Sequence, residues 1–160
     1  MKAIACVDKN MGLGLNGDLI IKSKKDMDYF KRITTGHAVV MGRATFESIG
    51  SKPLKNRINI VISSNPVENK DVISFTSIVD FLASKYNNKD TFIIGGASIY
   101  KQFLPYINEI YLTEVDVACD ADVFFPQFRD KFTLVEKQFF KDSDLTMEFC
   151  KYDRIKFDDF

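Results

Sequence analysis

The sequence predicts an α/β protein with a mixed, mostly parallel twisted sheet, flanking helices and a C-terminal antiparallel hairpin. Three observations support this prediction. Short apolar runs alternate with helical patterns along most of the chain, and such runs are typical of strands buried on both faces of a parallel sheet. The clearest run, Phe92-Ile93-Ile94, is followed at once by two glycines and a helical pattern. Near the C-terminus, polar and apolar residues alternate in 132–138 and 146–152, as in a half-exposed hairpin.

The predicted elements alternate as a sheet with crossover helices requires. Strands are predicted at 3–7, 37–41, 57–62, 72–75, 92–94 and 110–115, followed by the two hairpin strands. Helices are predicted at 23–35, 45–49 and 78–86 and after the glycine pair, where Pro105 ends the last one. The glycine-rich segment 8–17 is expected to be a long, mobile loop. The length predicts one domain over 1–160, whose acidic end at Asp158-Asp159 is expected to fray.

The composition excludes several classes of function. Lys+Arg and Asp+Glu balance at 22 each, so the net charge gives no reason to expect a nucleic-acid partner. A single histidine excludes a multi-histidine metal site, and we expect no metal. Three cysteines without C-x-x-C spacing indicate free thiols in a reducing compartment. Because no apolar stretch approaches about 18 residues, we expect a soluble, cytoplasmic protein. A monomer is the default expectation for its oligomeric state.

The glycine pair Gly95-Gly96 is the first candidate for a binding site. It lies between a buried strand and a helix, where bare backbone N–H groups and the positive end of the helix can meet an anion. Without side chains, the two glycines let a ligand approach the backbone closely. A phosphate-bearing ligand at this end of a central strand is one interpretation. A tight turn that binds nothing is the other.

Asp26 is the second candidate, because a carboxylate on the apolar face of a helix needs a partner. Phe30 and Ile33 follow it on the same face at i+4 and i+7. The spacing Ser23-x-x-Asp26 fits a capping box, in which Asp26 would bind a free backbone N–H. Alternatively, Asp26 faces a pocket and binds an amide-like or cationic heterocycle through two parallel hydrogen bonds.

Polar residues at the ends of two further strands form a third group. Arg43 and Thr45 follow one strand, and Ser63-Ser64 follow the next. If these strands are neighbours, the four side chains could surround one phosphate. Arg57 begins a strand and could pair with a carboxylate. From spacing alone, an ordinary surface residue or turn is the default interpretation of each. No nucleophile has an adjacent base, so a covalent mechanism has no support.

Six segments resemble those of dihydrofolate reductases. The two signature segments are Met41-Gly42-Arg43-Ala44-Thr45-Phe46-Glu47-Ser48-Ile49-Gly50 and Ile94-Gly95-Gly96-Ala97-Ser98-Ile99-Tyr100. The others, in the same order and with similar spacing, are Asn10-Met11-Gly12-Leu13-Gly14, Asp26-x-x-Tyr29-Phe30-Lys31-Arg32, Tyr111-Leu112-Thr113 and Asp122-x-x-Phe125-Pro126. The resemblance covers nearly the whole chain. It implies NADPH-dependent reduction of 7,8-dihydrofolate to tetrahydrofolate, in support of one-carbon metabolism and thymidylate synthesis, with antifolates as inhibitors.

The resemblance also implies roles for individual residues in binding the substrate. Asp26 would bind pterin N3 and the 2-amino group, and Thr113 would hydrogen-bond that carboxylate; these two are the expected catalytic residues. Arg57 would bind the α-carboxylate of the glutamate tail. The full set expected to contact substrate is Ile4, Cys6, Asp26, Phe30, Ile49, Leu54, Arg57, Ile94 and Thr113.

The cofactor set follows in the same way. Arg43, Thr45, Ser63 and Ser64 would hold the adenosine end, where a 2′-phosphate selects NADPH, and residues 95–100 would contact the pyrophosphate and ring, with a Gly-Gly peptide that is often cis in this family. The loop 10–18 would close over the nicotinamide. The full set is Cys6, Leu13, Gly14, Asn16, Gly17, Asp18, Leu19, Gly42, Arg43, Ala44, Thr45, Ile62, Ser63, Ser64, Ile94, Gly95, Gly96, Ala97, Ser98, Ile99, Tyr100 and Gln102.

One departure from the family pattern bears on the mechanism. The family usually has Leu-Pro-Trp after the loop, whereas this chain has Leu19-Ile20-Ile21 and no Trp at all. We expect an active enzyme with altered proton delivery, because Asp26, Thr113, Arg57 and the glycine pair are all present. The rival interpretations are a non-catalytic folate- or NADPH-binding module and a pyrimidine reductase of the riboflavin pathway.

Overall fold

The structure is a computed structural model that describes residues 1–156; Asp158 and Asp159, for which fraying is expected, lie outside them. The strands are β1 (Lys2–Val7), β2 (Gly12–Leu15), β3 (Asp18–Leu19), β4 (Ala38–Gly42), β5 (Ile58–Ile62), β6 (Val72–Phe75), β7 (Phe92–Gly95), β8 (Glu109–Val115), β9 (Val123–Phe124), β10 (Phe132–Asp142) and β11 (Leu145–Arg154). The helices are α1 (Lys24–Thr34), α2 (Arg43–Ser48), α3 (Ile78–Leu82) and α4 (Ala97–Phe103), and α4 continues into a 3₁₀ turn over Leu104–Tyr106.

An eight-stranded sheet organises the molecule, in the order β10-β11-β8-β1-β7-β4-β5-β6. The six strands from β8 to β6 are parallel to their neighbours, and β11 and β10 add an antiparallel hairpin at one edge. The predicted fold class is therefore confirmed. The strand that precedes the glycine pair, β7, lies between β1 and β4, so Gly95 and Gly96 follow a central strand.

Hydrophobic side chains cover both faces of the sheet, as its apolar strands predict. On one face, Phe81 from α3 and Phe103 from α4 join the larger core cluster. On the other face, Phe46 from α2 and Phe30 from α1 pack over Val39, Met41 and Val61. The two helix pairs thus lie on opposite sides of the sheet.

The glycine-rich segment 8–17 is more regular than predicted. Its residues 12–15 form β2, which pairs with β3 and with β9, about a hundred residues further along, in a small antiparallel sheet. The prediction of a loop was wrong for residues 12–15, because glycines at alternate positions give no side-chain pattern and the partner strand is remote in sequence. Buried Asp8 orders the turn before β2, since its Oδ1 accepts hydrogen bonds from the N–H groups of Asn10 and Gly12.

The helices largely match the prediction, with two corrections. α2 begins at Arg43, two residues earlier than expected, and α3 ends at Leu82 rather than near Tyr86. After the end of α3, side chains bind the free carbonyls of its last turn: Ser84 Oγ donates to the Phe81 carbonyl and Asn87 Nδ2 to the Leu82 carbonyl. Side chains that bind backbone carbonyls in this way replace the N–H groups that would extend the helix. Within residues 1–156, no helix is long and apolar enough to cross a membrane.

Candidate active site

The first turn of α1 fixes the place of Asp26. Ser23 caps this helix, and its Oγ accepts a hydrogen bond of 3.1 Å from the Asp26 N–H. Only this half of the capping box forms. The half-buried carboxylate of Asp26 instead faces the side chains of Thr113 and Cys6, which can donate hydrogen bonds to it. Asp26 thus faces the sheet rather than its own helix end.

Thr113 and Cys6 reach Asp26 together because they are register partners on the neighbouring parallel strands β8 and β1. Thr113 is fully buried and Cys6 is half-buried. Burial raises the pKa of Asp26 above its ordinary value, and the hydrogen bonds from Thr113 and Cys6 oppose that rise. Burial, and then the charge of Asp26, raise the pKa of the Cys6 thiol, which therefore stays protonated and able to donate.

Tyr100 connects Asp26 to the glycine pair. Its buried hydroxyl donates a 2.7 Å hydrogen bond to the carbonyl of Ile4. Its pKa is raised by burial and by the nearby Cys6 and Asp26. A Cβ atom built on Gly95 would lie 3.3 Å from the Tyr100 ring, so this glycine is in contact with the same aromatic side chain. Tyr100 thus lies against Gly95 and near Asp26.

An apolar surface extends from Asp26 along α1. The predicted substrate contacts Ile4, Phe30, Ile49, Leu54 and Ile94 all belong to one hydrophobic cluster. The loop that carries Leu54 is held by Asn59, which accepts from the Leu54 N–H at 2.8 Å and donates to the Leu54 carbonyl at 2.9 Å. Sequence analysis missed Asn59. The signal was a lone amide within the apolar run 58–62, which must be hydrogen-bonded if it is buried.

Arg57 lies at the outer end of this surface, with its guanidinium 5.8 Å from the centre of the Phe30 ring. Its Nη1 donates to Thr34 Oγ1 at 3.2 Å and its Nε to the Lys55 carbonyl at 2.9 Å. Burial lowers its pKa from the ordinary value of an arginine. These two bonds orient a guanidinium that has five N–H groups, and the others can bind a carboxylate.

The glycine turns form a second part of the site, next to Tyr100. Gly42 and Gly96 are the N-cap residues of α2 and α4, and no side chain among residues 1–156 caps either first turn. A Cβ atom on Gly42 would lie 3.1 Å from Ile99 of α4, and one on Gly96 would lie 3.4 Å from Thr45 Oγ1 of α2. The two helix starts are therefore adjacent, with free N–H groups that favour an anion. The Gly95-Gly96 peptide is cis.

Some of the residues that were predicted to surround a phosphate lie close together. β4 and β5 are parallel neighbours, with Gly42 opposite Ile62, so Arg43 and Ser63 follow at the same edge. The Arg43 Nη1 donates to the Asn65 carbonyl at 3.0 Å, and its Nε pairs with Glu47 at 3.0 Å. A cavity of about 410 Å³ opens beside Arg43, but Thr45, Ser63 and Ser64 do not line it. Ser64 and Ala44 are exposed at this edge.

The remaining cofactor candidates differ in their surroundings. On α4, Ser98 and Gln102 are exposed and bond to each other, whereas Ile99 is buried in the core, so that it can offer a ligand only backbone atoms. Ala97 is half-buried at the helix start. In the loop, Leu13 and Gly14 are buried in β2, while the exposed residues are Asn16, Gly17, Asp18 and Leu19.

The loop is held down at its tip and at its end. The Asn16 N–H donates to Asp122 Oδ2 at 3.0 Å. After the loop, Ile21 is buried with Met147 and Phe149, in a cluster against which Cys6 also packs. The residue at the position of the missing Trp is thus an apolar side chain that lies near Cys6 and offers no hydrogen-bond donor.

Comparisons with known proteins agree with this geometry. The family model for dihydrofolate reductase matches residues 1–154. The dihydrofolate reductase of Buchnera aphidicola subsp. Schizaphis graminum (strain Sg) is 40% identical over 150 residues, 92% of this chain and 93% of the relative. That of Bacillus subtilis (strain 168) is 40% identical over 126 residues, 78% of this chain and 74% of the relative.

A solved structure shares the whole architecture. Dihydrofolate reductase from Enterococcus faecalis, complexed with NADP(H) and RAB-propyl, superposes with a TM-score of 0.88 at 28% identity and covers 97% of this chain and 96% of that chain. The resemblance seen in the signature segments is confirmed by the family model and by this structure. The chain belongs to the dihydrofolate reductase family.

Proposed function

We propose that this chain reduces 7,8-dihydrofolate to 5,6,7,8-tetrahydrofolate with NADPH and that the residues described above carry the reaction. One observation carries the assignment of roles. A half-buried Asp26, held by Thr113 and Cys6, lies near the Tyr100 ring, and that ring contacts the glycine turn. A pterin bound at Asp26 and a nicotinamide admitted at Gly95 can therefore meet.

The substrate wall, formed by Asp26, Thr113, Cys6, Phe30 and Arg57, would bind dihydrofolate. The Asp26 carboxylate accepts two N–H bonds from the pterin, from N3 and the 2-amino group, in an apolar setting where such charge-assisted bonds are strong. Phe30 packs on the rings within its hydrophobic cluster. The N–H groups of Arg57 that remain free bind the α-carboxylate of the glutamate tail.

The cofactor wall, formed by Gly42, Gly95, Gly96 and the first turns of α2 and α4, fits a dinucleotide. The uncapped N–H groups match pyrophosphate, and the bare glycines admit it closely. Arg43, Thr45, Ser63 and Ser64 would hold a 2′-phosphate, which favours NADPH over NADH. The Enterococcus faecalis neighbour is complexed with NADP(H).

The reaction transfers a hydride from NADPH to pterin C6 and adds a proton at N5. The chain's own part is placement and electrostatics. Asp26 orients the pterin and biases its electronics, while solvent delivers the proton, since Ile21 offers no donor on that side. Loop residues Asn16 to Leu19 close over the nicotinamide and exclude water.

The finer assignments are that the chain acts as one domain, as a monomer and in the cytoplasm. The three cysteines, all free among the residues described, support a reducing compartment. Size-exclusion chromatography with light scattering tests the monomer.

One assay tests the function. With dihydrofolate and NADPH, the purified protein should oxidise NADPH, which is measured as a loss of NADPH absorbance. A tight 2,4-diaminopyrimidine antifolate should stop this oxidation. Binding of both ligands without turnover would assign a non-catalytic module instead. Turnover of a ribosylamino-pyrimidine but not of dihydrofolate would assign the riboflavin-pathway reductase.

A further inference from the structure

The turn between β10 and β11 makes a long-range contact with the first turn of α1. Asp142, the last residue of β10, is followed by the two-residue turn Ser143-Asp144. Its Oδ2 accepts a 2.6 Å hydrogen bond from Ser23 Oγ and a 3.2 Å bond from the Lys25 N–H. Lys25 Nζ in turn donates to the Lys141 carbonyl. Asp142 therefore caps α1 from another part of the chain.

Ser23 transmits this contact to the candidate catalytic helix. The residue is only 3% exposed, so few other partners are available to its hydroxyl. Its one proton goes to Asp142, and a lone pair of the same oxygen accepts from the Asp26 N–H at 3.1 Å. Met147 Sδ is the other neighbour, at 3.9 Å. Asp142 thereby sets the rotation of the hydroxyl that holds the Asp26 backbone.

The charge of Asp142 also suits its place. It lies at the N-terminal end of α1, where the helix dipole favours an anion. The hydrogen bonds from Ser23 and Lys25 lower the pKa of Asp142 below the ordinary range of an aspartate. Asp142 is thus an anion throughout the neutral range, and the contact is permanent rather than switched there.

We propose that Asp142 is a positioning residue for Asp26: through Ser23 it fixes the first turn of α1, so that the Asp26 carboxylate stays against Thr113 and Cys6. The proposal rests on the role proposed above for Asp26. An error of about 1 Å in the placement of a reacting group lowers rates by about a hundredfold. A loosened first turn should therefore weaken every step that uses the Asp26 carboxylate, and spare the cofactor wall.

The test compares Asp142→Ala with Asp144→Ala, an exposed aspartate of the same turn. Both variants lose one negative charge, but only the first removes the acceptor for Ser23 and Lys25. Asp142→Asn keeps an acceptor oxygen without the charge. For each variant, kcat/KM for dihydrofolate, Kd for a 2,4-diaminopyrimidine antifolate, Kd for NADPH and Tm are measured.

We expect Asp142→Ala to lower kcat/KM and antifolate affinity about tenfold, as for loss of a helix cap combined with misplacement. The NADPH affinity of Asp142→Ala should not change, and Asp144→Ala should behave as the parent. Asp142→Asn should keep most of the activity and antifolate affinity that Asp142→Ala loses. A double variant with Ser23→Ala should add little to Asp142→Ala, because both act through one hydroxyl.

Two outcomes overturn the inference. One is a parent-like kcat/KM and antifolate affinity in Asp142→Ala. The other is an equal loss for antifolate and NADPH, since a general loss of folding affects both walls. Asp26→Asn, assayed in parallel, separates the two proposals: if it too is fully active, the role of Asp26 has failed, whereas an inactive Asp26→Asn beside a normal Asp142→Ala refutes only the positioning role.

Discussion

The substrate wall and the cofactor wall are built differently. The substrate wall is built around Asp26 and Phe30 of α1, a helix capped by Ser23, and consists of side chains. The cofactor wall lies at the starts of α2 and α4, whose N-cap residues are glycines and whose first N–H groups no described side chain caps. In the proposed function, one wall recognises its ligand by individual functional groups, and the other by the shape and dipoles of the backbone. Substitutions should therefore change chemistry on the first wall and fit on the second.

The largest effect is expected from Asp26→Asn. At neutral pH, turnover should fall by about a hundredfold or more, because a charge that biases and orients the pterin is lost. The loss should shrink in acid, where the substrate arrives already protonated. The pH profile of kcat measures this. Asp28→Asn, an exposed aspartate on the same helix, is the control and should be normal. Unchanged turnover of Asp26→Asn at pH 7 would remove Asp26 from the mechanism.

Arg57→Leu should weaken substrate binding without changing the chemical step. Loss of a charge-assisted bond to the glutamate tail should raise KM for dihydrofolate by about 10- to 100-fold and leave kcat nearly constant. Dihydropteroate, which lacks that tail, should be reduced equally well by the parent and the variant. An equal loss on both substrates would show that Arg57 supports the fold through Thr34 rather than binding the tail.

Gly95→Ala should show that the cofactor wall responds to shape. Gly95 has φ of +122°, and the new methyl group would lie 3.3 Å from the Tyr100 ring. We expect NADPH affinity to fall about tenfold and stability by about 1–3 kcal/mol, because the backbone is strained and Tyr100 is displaced. Gly36→Ala is the control: its φ is also positive, at +86°, but the added Cβ meets no described atom within 4 Å. NADPH affinity in Gly95→Ala equal to that of the control would contradict the close approach.

The smallest effect is on stability: a buried, charged Asp26 should lower the free energy of unfolding at neutral pH. Burial raises its pKa in the folded chain above that in the unfolded chain, so the protonated form favours folding and this stability is lost as pH rises through the folded pKa. Asp26→Asn lacks that loss and should have a higher Tm than the parent at pH 7. The difference should vanish below about pH 4, where the parent carboxyl is protonated. A lower Tm for the variant at pH 7 would mean that Thr113 and Cys6 outweigh burial.

Local patterns predicted most of the fold. Apolar runs gave the buried strands, alternation gave the hairpin, and Ser23 gave the start of α1, since each of these signals lies within a few residues of its effect. The resemblance of the signature segments named the residues of both walls. Spacing alone left a capping role for Asp26 open.

Tertiary structure decided whatever depends on residues far apart in sequence. Only half of the capping box forms, because the Asp26 carboxylate faces Thr113 on β8, which is far away in sequence. The same holds for the pairing of β2 with β9 and for the contact of Asp142 with Ser23, since hydrogen bonds across about a hundred residues leave no local pattern. The sequence by itself determined which groups are present and which elements carry them. Only the folded sheet, by bringing strand ends to one edge, decided which of those groups meet.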